Sequence, residues 1–407
     1  MKVLVVDKFP AAGLDRLKGL GFDVAYLPEA KGEAFVSAVR ESAADGLVVR
    51  STKVTEEVLA AGTRLSLVVR AGSGYDNIDV PACSRRGIFV ATCPGRNATA
   101  VAELTIGLML ALDRRIPDNV ADLRQKKWNK KEYSQARGIH GRVLGLLGVG
   151  TIGQLVAARA RALGMRVVGW DKFLPSERAE AQGVELLGQP DDVAAFSDVV
   201  SVHLALNDET RGVCGPTFFD AMRPGSFFIN TSRGEIVDEL ALLKAIESRG
   251  IRAALDVFNK EPAQATAEFD NALAQHAKVY GTHHIGASTE QAQDAIADET
   301  VRVLREFRDS GRAPNTVNLA RQSPATHVLT VRHLDRVGVL AHVLNGLRAA
   351  GVNVQEMENV VFDGAEAAIA RIHLDHAVSA TVMDTIQKDN KDIMELKLLS
   401  LARPPAK

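Results

Sequence analysis

The chain alternates short apolar runs with amphipathic stretches from its first residues. Residues 1–7 have the pattern of a buried strand, residues 11–20 that of an amphipathic helix, and residues 22–26 that of a second strand. Further apolar runs of strand length follow at 46–50, 65–70 and 87–91. Strands that alternate with helices predict a parallel sheet with crossover connections. The first part of the chain is therefore predicted to be an α/β domain.

A second alternating series begins at residue 142. Its predicted strands cover residues 142–147, 166–170, 198–202, 226–230 and 252–256. Five such strands are enough for a doubly wound nucleotide-binding sheet. Between the two series, residues 98–112 are helical in composition and apolar on nearly every face, which predicts a helix buried between domains or subunits.

A third region follows a stretch rich in turn-forming residues at 310–324. Its predicted elements are a strand at 327–332, a helix at 339–350, strands at 355–362 and 367–374, a helix at 380–388 and a strand at 394–401. The order β-α-β-β-α-β is that of a ferredoxin-like α+β domain. The predicted fold class is thus α/β, with two doubly wound parallel-sheet domains and one smaller ferredoxin-like domain.

Composition narrows the function classes. The 407 residues are 46% hydrophobic and only 5% aromatic, which suits an α/β enzyme of two or three domains. The net charge of -1 gives no bulk attraction to nucleic acid or to an anionic membrane, so neither partner is predicted. The longest apolar run is far shorter than the roughly 20 residues that span a bilayer. Cys83, Cys93 and Cys214 lack metal-ligand spacing, so we expect no metal and a reducing cytoplasm.

A glycine-rich turn follows the first strand of the second series. The stretch Gly148-Val-Gly-Thr-Ile-Gly153 leads into a helical run, where glycines and a helix N-terminus can bind a pyrophosphate. An ordinary glycine turn is the alternative. Asp171 ends the next strand, where a carboxylate can accept hydrogen bonds from an adenosine ribose; its alternative is a turn or a helix cap. A carboxylate there repels a 2′-phosphate, which favours NAD over NADP, although Lys172 beside it moderates that preference.

Three more polar groups stand at predicted strand ends of this series. Arg233 follows one strand, Glu261 lies in Leu255-Asp-Val-Phe-Asn-Lys-Glu-Pro262, and His283 and His284 lie in the stretch from Gly281 to Glu290. An arginine in this place can clamp a carboxylate with two parallel hydrogen bonds. Taken singly, each has a plainer explanation as a surface or loop residue. Together they form a candidate acid/base and anion-binding constellation.

The order and spacing of these segments resemble those of the D-isomer-specific 2-hydroxy acid dehydrogenases over residues 1–318. That family's signatures are Gly-x-Gly-x-x-Gly, Arg-Gly-x-x-Val-Asp, Asp-Val-Phe-x-x-Glu-Pro and a His-(Ile/Leu)-Gly segment. The resemblance implies that His284 is the catalytic acid/base, with Glu261 hydrogen-bonded to its other nitrogen. It also implies that Arg233 binds the substrate carboxylate. His283 stands where proline is usual.

The resemblance also implies a cofactor, its ligands and a division into domains. The cofactor is NAD. Its implied binding residues are Gly148, Gly150, Thr151, Ile152, Gly153, Asp171, His203, Thr231, Ser232, Asp256, Gly286, Ala287 and Ser73. The implied substrate-binding residues are Arg50, Ser51, Gly72, Asn97, Arg233 and His284, with Lys53, Arg70 and Arg96 as further cations. The implied domains are 97–286 for NAD, 1–96 with 287–318 for the substrate, and 325–407 for regulation.

The loops at 50–55, 70–79 and 94–103 resemble those of family members that oxidise 3-phospho-D-glycerate to 3-phosphohydroxypyruvate, the first step of L-serine biosynthesis. In these members an arginine and backbone amides hold a phosphorylated hydroxy acid. Two departures are visible here. The Arg-Ser-x-Thr loop is one residue shorter, and residues 128–138 lack a Phe-x-Gly-x-Glu-Leu segment that can reach a neighbouring subunit. The alternatives are a 2-hydroxyglutarate, glycerate or lactate dehydrogenase and a non-enzymatic NAD-sensing protein.

The third region resembles an ACT regulatory domain in residues 333–340 and 351–354. In serine-sensitive relatives, three positions in these segments hold L-serine between two paired ACT domains, and here they match His333, Asp335 and Asn353. Asp335 replaces a frequent asparagine. The plainer alternative for Asn353 is a turn before a strand. The resemblance implies a small-molecule effector and self-association of the chain.

Overall fold

The computed structural model describes residues 1–262, 266–320 and 323–401. The chain forms two compact units, Met1–Asn318 and Leu319–Lys407. Among the described residues, the strands of the first unit form two parallel sheets and those of the second unit form one antiparallel sheet. The predicted fold class is therefore confirmed.

The first sheet of the first unit has the strand order β2-β1-β3-β4-β5. Its strands are β1 (Lys2–Val6), β2 (Asp23–Leu27), β3 (Gly46–Val49), β4 (Leu67–Arg70) and β5 (Phe89–Thr92). Its sequence-adjacent helices are α1 (Ala11–Gly19), α2 (Glu33–Ser42), α3 (Glu56–Ala61) and α4 (Val80–Arg85). The central strands are valine-rich because both faces are covered, as expected of a parallel sheet. One face packs on a cluster that includes Phe35 of α2, and the other packs on Leu17 of α1.

The second sheet has the strand order β12-β11-β10-β9-β6-β7-β8. Its strands are β6 (Val143–Leu147), β7 (Arg166–Trp170), β8 (Glu185–Leu186), β9 (Val199–Val202), β10 (Phe227–Asn230), β11 (Arg252–Leu255) and β12 (Val279–Gly281). Its helices are α8 (Thr151–Ala162), α9 (Ser176–Glu180), α10 (Pro190–Phe196), α11 (Pro216–Ala221) and α12 (Glu239–Arg249). The prediction of five strands was wrong by two, because β8 and β12 are too short to show a repeating pattern.

The chain crosses between the two sheets twice. The first crossing leads from β5 into α5 (Ala98–Arg114), which packs on α8 and β10 of the second sheet. The predicted burial of this helix is confirmed by Ala102, Met109 and Leu112, each at most 1% exposed. Helices α6 (Ile116–Arg124) and α7 (Lys130–Tyr133) follow it. The second crossing leads from β12 into α13 (Glu290–Ser310), which packs back on the first sheet.

The second unit has the predicted β-α-β-β-α-β order. Its elements are β13 (His327–Leu334), α14 (Val339–Ala349), β14 (Val354–Val361), β15 (Ala367–Leu374), α15 (Ala380–Lys388) and β16 (Ile393–Ser400). The sheet order is β14-β15-β13-β16, which is the ferredoxin-like order. Both helices cover one face, and the core lies between that face and the helices. Predicted and observed bounds differ by one or two residues.

Across the described ranges, the structure contains no helix with both the length and the apolar character needed to cross a bilayer.

Candidate active site

The glycine turn between β6 and α8 can be built only with glycine at two of its positions. Gly148 has φ +90°, and a Cβ there would stand 2.7 Å from the carbonyl oxygen of His203. A Cβ at Gly153 would stand 2.3 Å from the carbonyl oxygen of Gly148. Gly150 is the N-cap of α8, and nothing among the described residues lies within 4 Å of a Cβ built on it. The first amides of α8, from Thr151 and Ile152 onward, thus border an open space suited to a pyrophosphate.

Asp171 braces this turn from the end of β7. One carboxylate oxygen accepts the amide of Val149 at 2.9 Å, and the other accepts the amides of Phe173 and Leu174 at 2.9 and 3.0 Å. The turn-forming alternative for Asp171 is therefore present. The residue is only half-buried, and each carboxylate oxygen has two lone pairs. Acceptor capacity for a ribose hydroxyl remains.

Lys172 is engaged by a carboxylate that the sequence did not single out. Its Nζ lies 2.8 and 2.7 Å from the two carboxylate oxygens of Glu209, in the loop that follows β9. Both side chains are exposed. The positive charge next to Asp171 is therefore balanced by Glu209.

His203 lies beside the glycine turn at the end of β9. Its Nε2 is 2.9 Å from the hydroxyl of Ser201, and its buried Nδ1 has no hydrogen-bond partner among the described residues. Burial lowers the pKa of His203 to about 3, so the ring is neutral at physiological pH. The carbonyl of His203 lies against Gly148, and the buried Nδ1 of His203 is left for a hydrogen bond that the described residues do not supply.

His284 and Glu261 form the predicted pair. Nδ1 of His284 lies 2.7 Å from Oε2 of Glu261, whose Oε1 accepts the amide of Phe258 at 2.9 Å. Burial raises the pKa of Glu261, but the hydrogen bond and charge of His284 outweigh burial and hold that pKa below its usual value. His284 has φ +53°, an uncommon backbone conformation for a residue with a Cβ. The side chain is 47% exposed, so Nε2 is the ring nitrogen left for a ligand.

Asp256 holds the loop that carries His284. It is 1% exposed. Its Oδ1 accepts the hydroxyl of Thr282 at 2.6 Å and the amide of Ile285 at 2.8 Å, and its Oδ2 accepts the amide of Gly286 at 2.8 Å. Its carbonyl accepts the amide of His284 at 2.8 Å. The resemblance implied a cofactor role for Asp256, and the structure adds these hydrogen bonds within the loop.

His283, the other histidine of this loop, has a different environment. It is exposed, and it makes no hydrogen bond to any of the described residues. It therefore lacks the carboxylate partner that orients the ring of His284.

Arg233 bridges the two sheets of the first unit. Its Nε and Nη2 lie 3.2 and 3.0 Å from Oδ1 of Asp76, which belongs to the first sheet's side of the cleft. A Cβ at Gly74 would stand 2.0 Å from Nη2 of Arg233. The charge of Arg233 also acts on Glu261. The guanidinium therefore lies between the 72–76 segment and the His284–Glu261 pair.

Arg70 places a second guanidinium on the same segment. A Cβ at Gly72 would stand 1.6 Å from its Nη1, and its buried Nε has no partner among the described residues. Burial, together with the positive charges of Arg233 and Arg50, lowers the pKa of Arg70 to about 10. Arg50 follows Val49, which pairs with Arg70 on the next strand. Arg50, Arg70 and Arg233 thus form one positively charged group, of which the carboxylate of Asp76 neutralises only one charge, so the site favours an anionic ligand.

The backbone amides predicted to hold the substrate are turned to an internal carboxylate. The amides of Arg50, Ser51 and Thr52 donate to Oδ2 of Asp7 at 2.8, 3.0 and 3.0 Å. The hydroxyl of Ser51 also donates to Asp7, at 3.3 Å. In this structure these amides are therefore occupied by Asp7, and the expectation that they hold an anionic substrate stays a prediction. Asp7 was not identified from the sequence, since it lies 44 residues from Ser51.

Arg96 also has a different environment from the one expected of a substrate cation. It donates to the buried carboxylate of Glu299 at 2.7 Å. Arg96 lies in the first crossing and Glu299 lies on α13, so this pair joins the crossing to the returning helix. Lys53 is exposed.

The remaining predicted contact residues lie around the crossing and the end of β10. Ser73 donates to the side chain of Asn97 at 2.8 Å. The hydroxyl of Thr231 is 3.0 Å from that of Thr105, and the amide of Ser232 donates to Asn230 at 3.0 Å. Ala287 is half-buried after Gly286.

In the second unit, the predicted effector residues lie at opposite ends of the sheet. His333 is 1% exposed, with Nδ1 2.7 Å from the carbonyl of Leu334 and Nε2 3.2 Å from Oδ1 of Asn359. His333 pairs with Ala368 of β15, whereas Val354, next to Asn353, pairs with Leu374 of the same strand. Six residues of strand span roughly 20 Å. One copy of the chain therefore cannot bring His333 and Asn353 to one small ligand; exposed Asp335 lies on the His333 side.

Within the described residues, no group of three or more His, Cys, Asp or Glu side chains is arranged to hold a metal ion.

The family of the first unit follows from comparison with known proteins. Residues 106–286 match the family model described as D-isomer specific 2-hydroxyacid dehydrogenase, NAD binding domain. A crystal structure of the TT0316 protein from Thermus thermophilus is 31% identical, with a TM-score of 0.69, and covers 78% of this chain and 100% of that one. Residues 106–286, which contain the second sheet and its helices, therefore form an NAD-binding domain of the D-isomer specific 2-hydroxyacid dehydrogenase type.

Within this family, the chain is similar to D-3-phosphoglycerate dehydrogenases. It is 38% identical over 325 residues to that of Methanocaldococcus jannaschii, covering 78% of this chain and 60% of the relative. It is 37% identical over 351 residues to that of Sus scrofa, covering 86% and 63%. The NAD+-bound 3-phosphoglycerate dehydrogenase of Entamoeba histolytica is 28% identical, with a TM-score of 0.66, over 78% of this chain and 99% of that one. The chain thus spans less than two thirds of the length of these two curated relatives.

Proposed function

We propose that the protein is an NAD-dependent dehydrogenase that interconverts 3-phospho-D-glycerate and 3-phosphohydroxypyruvate, the entry to L-serine biosynthesis. The observation that carries this proposal is the grouping of Arg50 and Arg70 with Arg233, whose charge also acts on Glu261 of the His284–Glu261 pair. A ligand with both a carboxylate and a phosphate would neutralise this excess of positive charge. The names of the relatives point to the same substrate.

The proposed chemistry divides between three residues. Bound NAD supplies the acceptor for the hydride that leaves C2 of the hydroxy acid. Arg233 binds the carboxylate and orients C2. Nε2 of His284 accepts the proton of the C2 hydroxyl during oxidation and returns it during reduction. Glu261, held ionised by its hydrogen bond to Nδ1, fixes the tautomer of His284 and stabilises the imidazolium.

The cofactor is assigned to the glycine turn and the strand ends next to it. We assign the pyrophosphate to Gly148, Gly150 and Gly153 with the first amides of α8, and the adenosine ribose to Asp171. The nicotinamide side is assigned to His203, Thr231, Ser232, Asp256, Gly286, Ala287 and Ser73. In this proposal residues 97–286 are the NAD domain, and residues 1–96 with 287–318 are the substrate domain.

Residues 325–407 are proposed to be an ACT regulatory domain that binds L-serine between two copies. Support comes from β14, which lies at an edge of the sheet and exposes apolar Met357, Val360 and Val361. An exposed apolar edge strand is a template for pairing. If two β14 edges pair antiparallel, His333 of one copy approaches Asn353 of the other, as the separation of these residues within one copy requires.

The buried, unpaired cysteines favour a reducing cytoplasm as the location of the protein.

A substrate panel tests the proposed reaction. Oxidation of NADH and NADPH is followed with 3-phosphohydroxypyruvate, hydroxypyruvate, 2-oxoglutarate and pyruvate. We expect 3-phosphohydroxypyruvate with NADH to give the highest kcat/KM. A higher value for an unphosphorylated acid would identify a different D-2-hydroxy acid dehydrogenase, the alternative that the occupied amides of Arg50, Ser51 and Thr52 favour. Absence of turnover with all four acids would favour an NAD-sensing protein.

The regulatory proposal is tested with the full chain. Millimolar L-serine should inhibit the wild type, and Asn353→Ala should weaken this inhibition while leaving activity without serine unchanged. Titration calorimetry of the full chain with L-serine gives a second readout. No heat and no inhibition would leave the second unit without a serine site.

A further inference from the structure

Asp7 is a buried carboxylate in an unusual backbone conformation at the end of β1. Its φ is +66°, although it is not a glycine, and it is 6% exposed. Its Oδ2 accepts three backbone amides, and its Oδ1 accepts the hydroxyls of Thr52 at 2.7 Å and Ser51 at 3.3 Å. Five donors from three consecutive residues thus converge on one carboxylate.

The electrostatics agree with an ionised Asp7. Burial raises the pKa of Asp7, but the hydrogen bonds from Thr52, Arg50 and Ser51 outweigh it and hold that pKa below its usual value. Consecutive amides that point at one place form an anion-binding concavity. Here the anion is part of the chain, and its hydrogen bonds offset the unfavourable φ of Asp7.

The loop that Asp7 holds carries one of the three guanidiniums of the site. Arg50 donates its own amide to Asp7, and it follows Val49, which pairs with Arg70 on the neighbouring strand, so its charge lies on the same side as Arg70 and contributes to lowering the pKa of Arg70. The segment of Arg50, Ser51 and Thr52 lies outside any helix or strand, and among the described residues only Asn77 holds it besides Asp7, by donating to the carbonyl of Thr52 at 2.8 Å. Asp7 accepts all three amides of the segment, so the position from which the Arg50 side chain starts is set mainly by this carboxylate.

We infer that Asp7 is a positioning residue for substrate recognition: it fills the concavity of the 50–52 loop and thereby directs Arg50 toward the site shared with Arg70 and Arg233. The inference rests on the proposed function for the identity of the substrate. In this inference the guanidiniums of Arg50, Arg70 and Arg233 bind the anionic substrate, and the amides of residues 50–52 fix the conformation of the loop by donating to Asp7.

Two variants separate the carboxylate from the backbone strain. Asp7→Gly removes the carboxylate and tolerates the positive φ. Asp7→Asn keeps the shape and one carbonyl oxygen, and the hydroxyls of Ser51 and Thr52 can reverse to accept from its amide. We expect Asp7→Gly to raise KM for the 2-oxo acid about tenfold or more, with a smaller change in kcat and an unchanged affinity for NADH. Asp7→Asn should raise KM less.

Rescue by a small anion distinguishes positioning from general loosening. Formate can enter the concavity that Asp7→Gly leaves and accept the same amides. We expect formate, compared with chloride at equal ionic strength, to lower the KM of Asp7→Gly and to raise its melting temperature, with neither effect on the wild type. An unchanged KM in Asp7→Gly would overturn the inference. So would equal KM increases in both variants with no response to formate.

Failure of the inference about Asp7 can be distinguished from failure of the proposed substrate assignment. KM is measured with whichever acid in the substrate panel gives the highest turnover, so rejection of 3-phosphohydroxypyruvate does not remove the test. The effect of formate on melting temperature requires no substrate. If this effect is absent in Asp7→Gly, the concavity is not an anion site, whatever the substrate is.

Discussion

Two sets of backbone amides follow parallel strands in this protein, and they differ in whether the chain itself supplies an acceptor for them. The amides at the start of α8, after β6, border an open space beside Gly150. The amides of Arg50, Ser51 and Thr52, after β3, all donate to Asp7. Both have the local geometry that suits an anion. The first is free to receive one from solution, whereas the second already contains one that the chain supplies.

This difference separates two ways of recognising an anion. On the cofactor side, glycines bring the backbone and a helix N-terminus close to a pyrophosphate, so recognition needs little side-chain charge. In the proposed function, Arg50, Arg70 and Arg233 supply the charge on the substrate side, and the backbone amides support the loop. A guanidinium can distinguish a carboxylate from a neutral group by two parallel hydrogen bonds, so we expect substrate choice to depend on these arginines.

The largest expected effect comes from His284, where the substrate side meets the cofactor side. His284→Gln should lower kcat by about 10²- to 10⁴-fold, because glutamine cannot exchange a proton at that position. NADH binding, measured by fluorescence titration, should be unchanged. His283→Gln is the matched control, since His283 is exposed. A greater loss of activity in the His283 variant would show that the acid/base was assigned to the wrong histidine.

The sequence predicted the local parts of this site and missed the long-range ones. The glycine turn could be predicted because its glycines are closely spaced in the sequence between a predicted strand and a predicted helix. The partners Asp7 with Ser51, Lys172 with Glu209 and Arg96 with Glu299 are 44, 37 and 203 residues apart. No periodicity connects such pairs, because they are brought together by sheet order and by the second crossing. The sequence therefore predicted Arg96 as a substrate cation, whereas in the structure it donates to Glu299.

The second prediction concerns the joint between the two sides. The hydrogen bonds of Arg302 and Arg96 lower the pKa of Glu299 from 4.5 to about 2, although its burial acts in the opposite direction. A carboxylate whose pKa is lowered by folding stabilises the folded state at pH values above its pKa in the unfolded chain. This contribution is lost as the pH falls from about 4.5 toward 2. Glu299→Gln should therefore cost on the order of 3 kcal/mol at pH 7.

Urea unfolding of wild type and Glu299→Gln at pH 7 and at pH 3 measures this contribution. The difference in unfolding free energy should be largest at pH 7 and should shrink at pH 3, where the wild-type carboxylate begins to lose its advantage. Asp309→Asn is a suitable control because Asp309 is exposed on the same stretch of chain. A difference that is the same at both pH values would mean that the ionised form of Glu299 is not what joins the crossing to α13.

The third prediction changes the open set of amides. Gly150→Ala places a methyl group in space that contains no described atom within 4 Å, so the fold should be kept while the pyrophosphate is displaced. We expect the Kd of NADH to rise about tenfold, with an unchanged melting temperature. Gly153→Ala is the contrast, since its Cβ would stand 2.3 Å from the carbonyl oxygen of Gly148. It should lower the melting temperature as well, and equal stability losses in both variants would contradict the open space at Gly150.

The smallest expected effect concerns the choice between NAD and NADP. Glu209 accepts both hydrogen bonds from Nζ of Lys172, so the cation next to Asp171 is not free to attract a 2′-phosphate. Glu209→Gln should release Lys172 and increase the relative use of NADP. Because both side chains are more than half exposed, the gain should be only about two- to fivefold in the ratio of kcat/KM for NADP to that for NAD.

A double-mutant cycle shows whether this gain passes through Lys172. In a Lys172→Ala background, Glu209→Gln should leave the NADP to NAD ratio nearly unchanged, because the cation that it would release is gone. Asp171→Ser should change the ratio in both backgrounds, since it removes the charge nearest the ribose. If Glu209→Gln raised the ratio equally with and without Lys172, Glu209 would act by its own repulsion of the phosphate. The cofactor side would then select NAD through two carboxylates, and Lys172 would have no part in the choice.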